Sequence, residues 1–470
     1  MINDLDLAYR LYYDYSNYAE QNLKHRRFKH SEILPLIKNL MGTEIFSVIE
    51  AGKSAKGKEI FLIKTGIGDI KIFLWSQMHG DESTATMAIF DMFKFFMSND
   101  GFNDFRNKLF SKFTLYFMPI VNPDGADLFQ RRNVFDIDIN RDFVQLQTPE
   151  AKILKDAFEK IKPDFGFNLH DQSTLYSAGH NFKPATISFL APPIDAENSI
   201  DEVRARSMKL IGKMFNTMSS FIPGHIAKYP NDFEPRAFGD NFQKLGTSTI
   251  LIESGGWKND PEKQFIRKIN FISLLSAFNS IEAESYVNEP METYESIPAN
   301  EKDLMDVILR NLKIKKDGFE YLADIGIVRN EINDASSSKY FIRSSIEEIG
   351  DLSVYFGYED LDLSGSEIFP GKTYPIKFAS INEIENLDFS LLHSEGFTNV
   401  SLNDKNFAGN FSPFPVNIII NENHNQDEIK IGDPANLIIK KDSKVIYCVI
   451  NGFLIEPALK KELNINGLVF

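Results

Sequence analysis

Cysteine is nearly absent: Cys448 is the single one among 470 residues. No intrachain disulfide can form, and a cysteine-rich metal site is excluded. No run approaches 18 apolar residues, the length at which a membrane-spanning helix becomes the expectation. Basic excess is also missing. Lys and Arg number 51 against 66 Asp and Glu, a net charge of -15. That balance argues against a protein that tracks nucleic-acid phosphates, though a local basic pocket remains compatible with it. The opening stretch MINDLDLAYRLYYDY has neither a basic n-region nor an apolar h-region. No secretion signal is expected, and a reduced cytoplasmic setting is the default. No internal repeat is visible. The only phosphate-loop lookalike, GKSAKGKE, fails because Glu59 follows Gly57-Lys58 where Ser or Thr is required.

What is present is apolar mass: 43% of the residues are hydrophobic. A chain of this length buries more than one core, roughly two to three domains' worth. Residues 1–45 read as polar and helix-like, with the basic run KHRRFKH on a solvated helix surface or turn. Residues 46–64 read as two strands joined by a Gly/Lys/Ser turn. The stretch Ile70-Lys71-Ile72-Phe73-Leu74-Trp75 is β-branched and aromatic, as a buried strand should be. It runs into a polar turn with His79 and Glu82. A helix follows, with Ser83 or Thr84 as N-cap.

Leu115–Val121 is a further strand, and Asn122-Pro123-Asp124-Gly125 a turn by composition. The polar loop RRNVFDIDINRDF comes next, then a helix from Pro149 to Ile161 with proline in its first turn. Phe165–His170 is a strand ending in a histidine, and Ser248–Glu253 a strand ending in a carboxylate followed by Ser254-Gly255-Gly256. The alternation implies a doubly wound α/β domain over residues 1–285, a mixed sheet flanked by helices. Residues 286–470 are expected to form a linker, which includes GFEYLADIGIVRNEINDASSSKYF, and a β-rich accessory domain of short strands.

Three strands therefore end in polar groups: His79 with Glu82, His170, and Glu253. In open α/β sheets, sites form at the carboxyl ends of strands. His79, Glu82 and His170 supply two imidazoles and one carboxylate. Such a set leaves a fourth position open on tetrahedral zinc, the arrangement of catalytic zinc sites. His180, His225, His393 and His424 match no such pattern and read as surface or core histidines.

In this ordered set the sequence resembles the zinc carboxypeptidase superfamily. The resemblance rests on HGDE at 79–82, NPDG at 122–125, RRN at 131–133, DINRDF at 138–143, NLH at 168–170 and ESGG at 253–256. It implies roles. His79, Glu82 and His170 match the zinc ligands, and Glu253 matches the general base. Arg131 or Arg132 matches the arginine that polarises the scissile carbonyl; spacing to Asn140 favours the first and the adjoining Asn133 the second. Asn140 and Arg141 match the pair that holds a terminal carboxylate. The implied activity is removal of a C-terminal residue from a peptide.

The chain also departs from the family. Where a tyrosine on a mobile loop precedes the base, KYPNDFEPRAFGDNF offers Tyr229 out of register, Phe233 nearby and an unexpected Arg236. A related branch, exemplified by aspartoacylase and succinylglutamate desuccinylase, pairs the zinc domain with a β-rich tail and removes acyl groups from amino acids. The substrate expected is thus a peptide, with an acyl-amino acid as the alternative. A catalytically idle binding protein is the reading from another class, and the retained His79, Glu82, His170 and Glu253 weigh against it. Near the end, IKIGDPANLIIKKDSKVIYCVINGFLI resembles the small β-sandwich tail of amidohydrolases, a structural element with an Asn-Gly turn.

Overall fold

The strand Ile70–Ser76 explains the architecture of the first half. Ile72 and Leu74 face one core and Phe73 and Trp75 face another, all four fully buried. A strand covered on both faces has no polar alternation, so it reads as one apolar run. The computed structural model describes residues 3–334, 339–404, 407, 409–420, 428–459 and 465–470. The chain forms two compact units, the first running to Lys302 and the second starting at Asp303.

In the first unit, the strands are β1 (Phe46–Lys53), β2 (Glu59–Thr65), β3 (Ile70–Ser76), β4 (Phe113–Met118), β5 (Phe165–Asp171), β6 (Ser177–Ala178), β7 (Ile187–Leu190), β8 (Ile226–Lys228) and β9 (Ser248–Ser254). Eight of them make one sheet in the order β1-β2-β4-β3-β5-β9-β7-β8. The centre, β4-β3-β5-β9, is parallel; β1, β2 and the β7–β9 pairing are antiparallel. The fold is the expected mixed sheet between helices. On one face pack α1 (Asp4–Asp14), α2 (His30–Met41), α3 (Thr84–Met97), α4 (Asn103–Lys112), α7 (Glu202–Met218) and α9 (Gln264–Glu282). The other face carries α6 (Pro149–Ile161) and α8 (Phe238–Lys244), where Phe158 stacks on Phe242 at 3.6 Å between ring centroids.

Several local expectations shift. NPDG is a helix start rather than a turn: α5 spans Pro123–Leu128, with proline in the first turn and the Asn122 side chain accepting the Gly125 N–H. Ser83 occupies the cap position of α3, but its hydroxyl donates to Arg26 O instead of capping, and Thr84 Oγ1 donates to Asp171. In the basic run only part is solvated; Arg27 lies over the Phe129 ring, and His30 is buried with Nε2 at 2.9 Å from Glu59 O. The first unit also extends past residue 285 through a short helix α10 (Met291–Glu295) and β10 (Asn300–Glu301), which pairs with β6. Tyr294 anchors this extension, buried with its hydroxyl accepting the Ala191 N–H.

The second unit is β-rich. Its largest sheet begins with long strands, β11 (Leu304–Lys316), β12 (Phe319–Asn333) and β13 (Tyr340–Gly350). The stretch read as a linker is thus a hairpin. Asp317 and Gly318, at φ 52° and 81°, make the two-residue turn whose twist suits antiparallel strands. The expected Asn-Gly turn is Asn451-Gly452, at φ 49° and 76°, in the C-terminal antiparallel meander.

Candidate active site

Three parallel strands present their carboxyl ends together. The turn after β3 carries His79 and Glu82, β5 carries His170, and β9 carries Glu253, which stands directly opposite His170 in the β5–β9 register. Parallel neighbours share polarity, so a residue at the end of each strand reaches the same rim. The β3 turn is held down by backbone contact. A Cβ on Gly80 would come within 2.0 Å of Gly125 C, so HGDE and NPDG lie backbone to backbone. Gly255 serves a similar purpose elsewhere: a Cβ there would come within 1.9 Å of Ala185 O.

The carboxylate of Glu82 receives both imidazoles. His79 Nδ1 meets Oε1 and His170 Nδ1 meets Oε2, each at 2.7 Å. One ligand atom from each of the three residues lies within 4.8 Å of the others, and all three side chains are buried. His79 Nε2 faces Asp138 Oδ1 at 3.1 Å, the carboxylate–imidazole pairing that fixes ring orientation in metal sites. His170 Nε2 is buried without a hydrogen-bond partner. Two ring nitrogens converging on one carboxylate in a dry setting are the donor set that suits zinc, and the residues fit the ion.

The charges are strongly coupled. Burial pulls the His79 pKa down, but Glu82 and Asp138 more than reverse this and push it up to about 9. His170 is lowered by burial, and His79's charge adds to that effect. Burial works to raise Glu82, and the two imidazoles outweigh it and hold its carboxyl low. Glu253 goes the other way: burial first, then the Glu82 charge, push it well above the ordinary carboxylate range.

Of the two candidate arginines, Arg131 is the one at the site. Its Nη1 lies 3.2 Å from Glu82 Oε1 and its Nε donates to Asp138 Oδ2 at 3.1 Å. Arg132 turns outward to Asp136, donating to its carbonyl at 3.0 Å, and is absent from the cavity wall. Asn140 is partly committed, its Oδ1 accepting the Phe238 N–H at the start of α8. Arg141 pairs with neither adjacent aspartate; its Nε lies 3.1 Å from Glu234 Oε2. Glu234 also forks onto Arg236. All but Arg132 of the expected site residues line one cavity of about 330 Å³, joined by Tyr229, Tyr176, Glu234 and Asp240.

Tyr229, doubtful by sequence register, lies in that wall, and the Glu253 charge followed by burial raises its hydroxyl pKa. Glu234 and Asp240 carry no motif in the sequence; what brings them to the cavity is the distant pairing of Glu234 with Arg141 and the local Glu234 N–H to Asp240 bond. The other histidines stay apart. His225 Nδ1 and His393 Nε2 meet carbonyls of Pro184 and Pro415, and His180 pairs with Glu301. His424 lies outside the described residues.

Residues 36–221 match the family described as zinc carboxypeptidase. Among curated relatives, probable carboxypeptidase 2 of Arthroderma benhamiae is 28% identical over 149 residues, 31% of this chain and 27% of that protein. Carboxypeptidase 2 of Trichophyton rubrum is likewise 28% identical over 149 residues, covering 31% and 26%. The chain thus spans about a quarter of the length of the curated relatives it matches. Among solved structures, the metallo-carboxypeptidase of Burkholderia cenocepacia aligns at TM-score 0.44 and 15% identity, covering 55% of this chain and 70% of that one. Bovine thrombin-activatable fibrinolysis inhibitor, in complex with tick carboxypeptidase inhibitor, aligns at TM-score 0.46 and 14% identity, covering 57% and 100%. No helix among the described residues is long and apolar enough to cross a membrane.

Proposed function

On the premise that the chain carries a domain of the zinc carboxypeptidase superfamily, we propose that it is a zinc-dependent hydrolase that removes the C-terminal residue of a peptide. The observation that carries this reading is the convergence of His79, Glu82 and His170 beside Glu253 on one rim. Zinc held by His79, Glu82 and His170 would supply a Lewis acid for the carbonyl and ease deprotonation of water.

The protein's own groups account for the rest. Glu253 takes the proton of the attacking water and delivers it to the leaving amine. The proton it takes in the first step serves the second. Arg131 stabilises the negative charge that develops on the carbonyl oxygen. Asp138 holds both His79 and Arg131, so one carboxylate orients two members of the site. Arg141, with Asn140, holds the substrate's terminal carboxylate, a role suited to a guanidinium fork. For that, the carboxylate must exchange with Glu234.

The test is metal analysis alongside a panel of free-acid peptides, C-terminally amidated peptides and N-acyl amino acids. The wild type is expected to hold about one zinc per chain and to cleave the free acids. His170→Ala should lose most of the zinc and the turnover together. Full zinc occupancy in that variant would remove the ligand assignment. Cleavage of N-acyl amino acids alone would replace the peptidase reading by a deacylase.

A further inference from the structure

The elements that carry the site meet again just past their functional residues. Asp171 follows His170 and Ser254 follows Glu253, and these two are the last pair of the β5–β9 register. Thr84 stands two residues after Glu82, at the start of α3. Lys263, which belongs to none of the site motifs, reaches this layer from the cap position before α9. Its Nζ donates to Ser254 O at 2.9 Å and to Asp171 Oδ2 at 3.3 Å, and it faces Gln172 O at 3.5 Å. An ammonium has three N–H donors, and three acceptors surround this one. Asp171 Oδ2 also accepts the Thr84 hydroxyl at 2.6 Å. The Lys263 and Asp171 side chains are 6% and 7% exposed.

Two further observations give the pair a purpose. The Asp171 N–H donates to Glu82 Oε2 at 3.2 Å, the same oxygen that His170 Nδ1 meets. Whatever fixes Asp171 therefore fixes that carboxylate oxygen. The lysine is itself preset. Its φ of 50° lies in the left-handed region that residues with a side chain seldom occupy. Such a conformation persists where the surroundings over-determine it. Asp260 does so here: its carbonyl accepts the Lys263 N–H at 3.0 Å, and its carboxylate accepts the N–H groups of Gln264, Phe265 and Ile266. Strand ends fray unless they are tied, and a buried cation bonded to both ends removes that freedom.

We propose that Lys263 is a positioning residue: through Asp171 and Ser254 O it locks the ends of β5 and β9 to the start of α3, and so sets the spacing of Glu82, His170 and Glu253. Lys263 is absent from the cavity wall and acts through its neighbours. The inference deepens the zinc hydrolase reading and rests on it for the identity of the ion.

Three variants test it. Lys263→Met keeps the stem and removes the charge, which leaves a buried carboxylate unpaired. Thr84→Val removes only the hydroxyl bond to Asp171, and it decides the matter where Lys263→Met does not fold. Arg106→Met deletes a buried cation of α4 paired with Asp100, and controls for lost stability alone. Zinc affinity is read on the folded, metal-free proteins by competition with a chelator. Lys263→Met and Thr84→Val should weaken it roughly ten- to hundredfold, the usual effect of losing a group that orients ligands. Their kcat should fall while KM changes little, and Arg106→Met should keep the affinity. Equal loss in Arg106→Met overturns the inference, as does an affinity within about threefold of wild type in every folded variant of Lys263 and Thr84. Hydrogen–deuterium exchange over residues 168–172 of the metal-free protein needs neither zinc nor substrate. Faster exchange there in Lys263→Met or Thr84→Val, with α6 unchanged, supports the positioning role even if the wild type binds no zinc, in which case only the assignment of the ion falls. Exchange equal to wild type in every folded variant overturns it.

Discussion

Glu253 and Asp240 are both buried carboxyls with raised pKa values, yet their consequences differ. Glu253→Gln should keep the zinc and the fold, because the amide replaces a group that burial already biases toward its neutral form. An amide cannot accept the proton, so turnover should fall by roughly 10²–10⁴-fold or more. Zinc content, circular dichroism and peptide hydrolysis on one sample check this; near-native hydrolysis with zinc retained would remove Glu253 as the base. For Asp240 the expected readout is stability. A carboxyl whose folded pKa stands above its unfolded value contributes stability that is complete below pH 4 and is lost as pH rises through about 7. Asp240→Asn stays neutral throughout. Its melting temperature should match the wild type near pH 4 and exceed it by several degrees at pH 8. Equal differences at both pH values would show that Asp240 is not strained by burial.

Among elements, a buried polar tie runs between α3, α9 and the segment before α2. Asp91 on α3 receives Arg267 of α9 through a two-point pairing, the Tyr15 hydroxyl at 2.8 Å and the Glu20 N–H at 2.7 Å. Arg267 is fully buried. Asp91→Ala would strand that guanidinium, and removing one partner of a buried pair costs about 3–5 kcal/mol. Both tryptophans, Trp75 and Trp257, belong to the first unit. Urea unfolding followed by tryptophan fluorescence therefore reports that unit, and its midpoint should drop clearly in the variant. None of this network was legible in sequence, because Asp91 and Arg267 lie 176 positions apart. Elements with local signals were legible: α6 begins and ends where its proline and apolar spacing place it. NPDG misled because proline and asparagine mark a helix start as readily as a turn. The hairpin at Asp317-Gly318 carried its turn signal, but the exposed start of its second strand, Phe319–Leu322, concealed it.

At the scale of the whole molecule, the alternation of strands and helices along the chain made the mixed sheet flanked by helices legible, while the choice between Arg131 and Arg132 and the engagement of Arg141 by Glu234 needed three dimensions. The first unit holds every residue assigned to the site. Those residues come from strands that are adjacent in space and distant in sequence: Glu82 and His170 are 88 positions apart, and β9 must slot between β5 and β7 before Glu253 meets them. Contacts of such long separation form late, since loop closure must precede them. Zinc capture should therefore act as a clock for folding. In stopped-flow refolding, helical signal should appear first and uptake of the metal, followed with a chromogenic chelator, should lag behind it. Simultaneous appearance of the two would mean that His79, Glu82 and His170 gather in the collapsed chain before the sheet is complete.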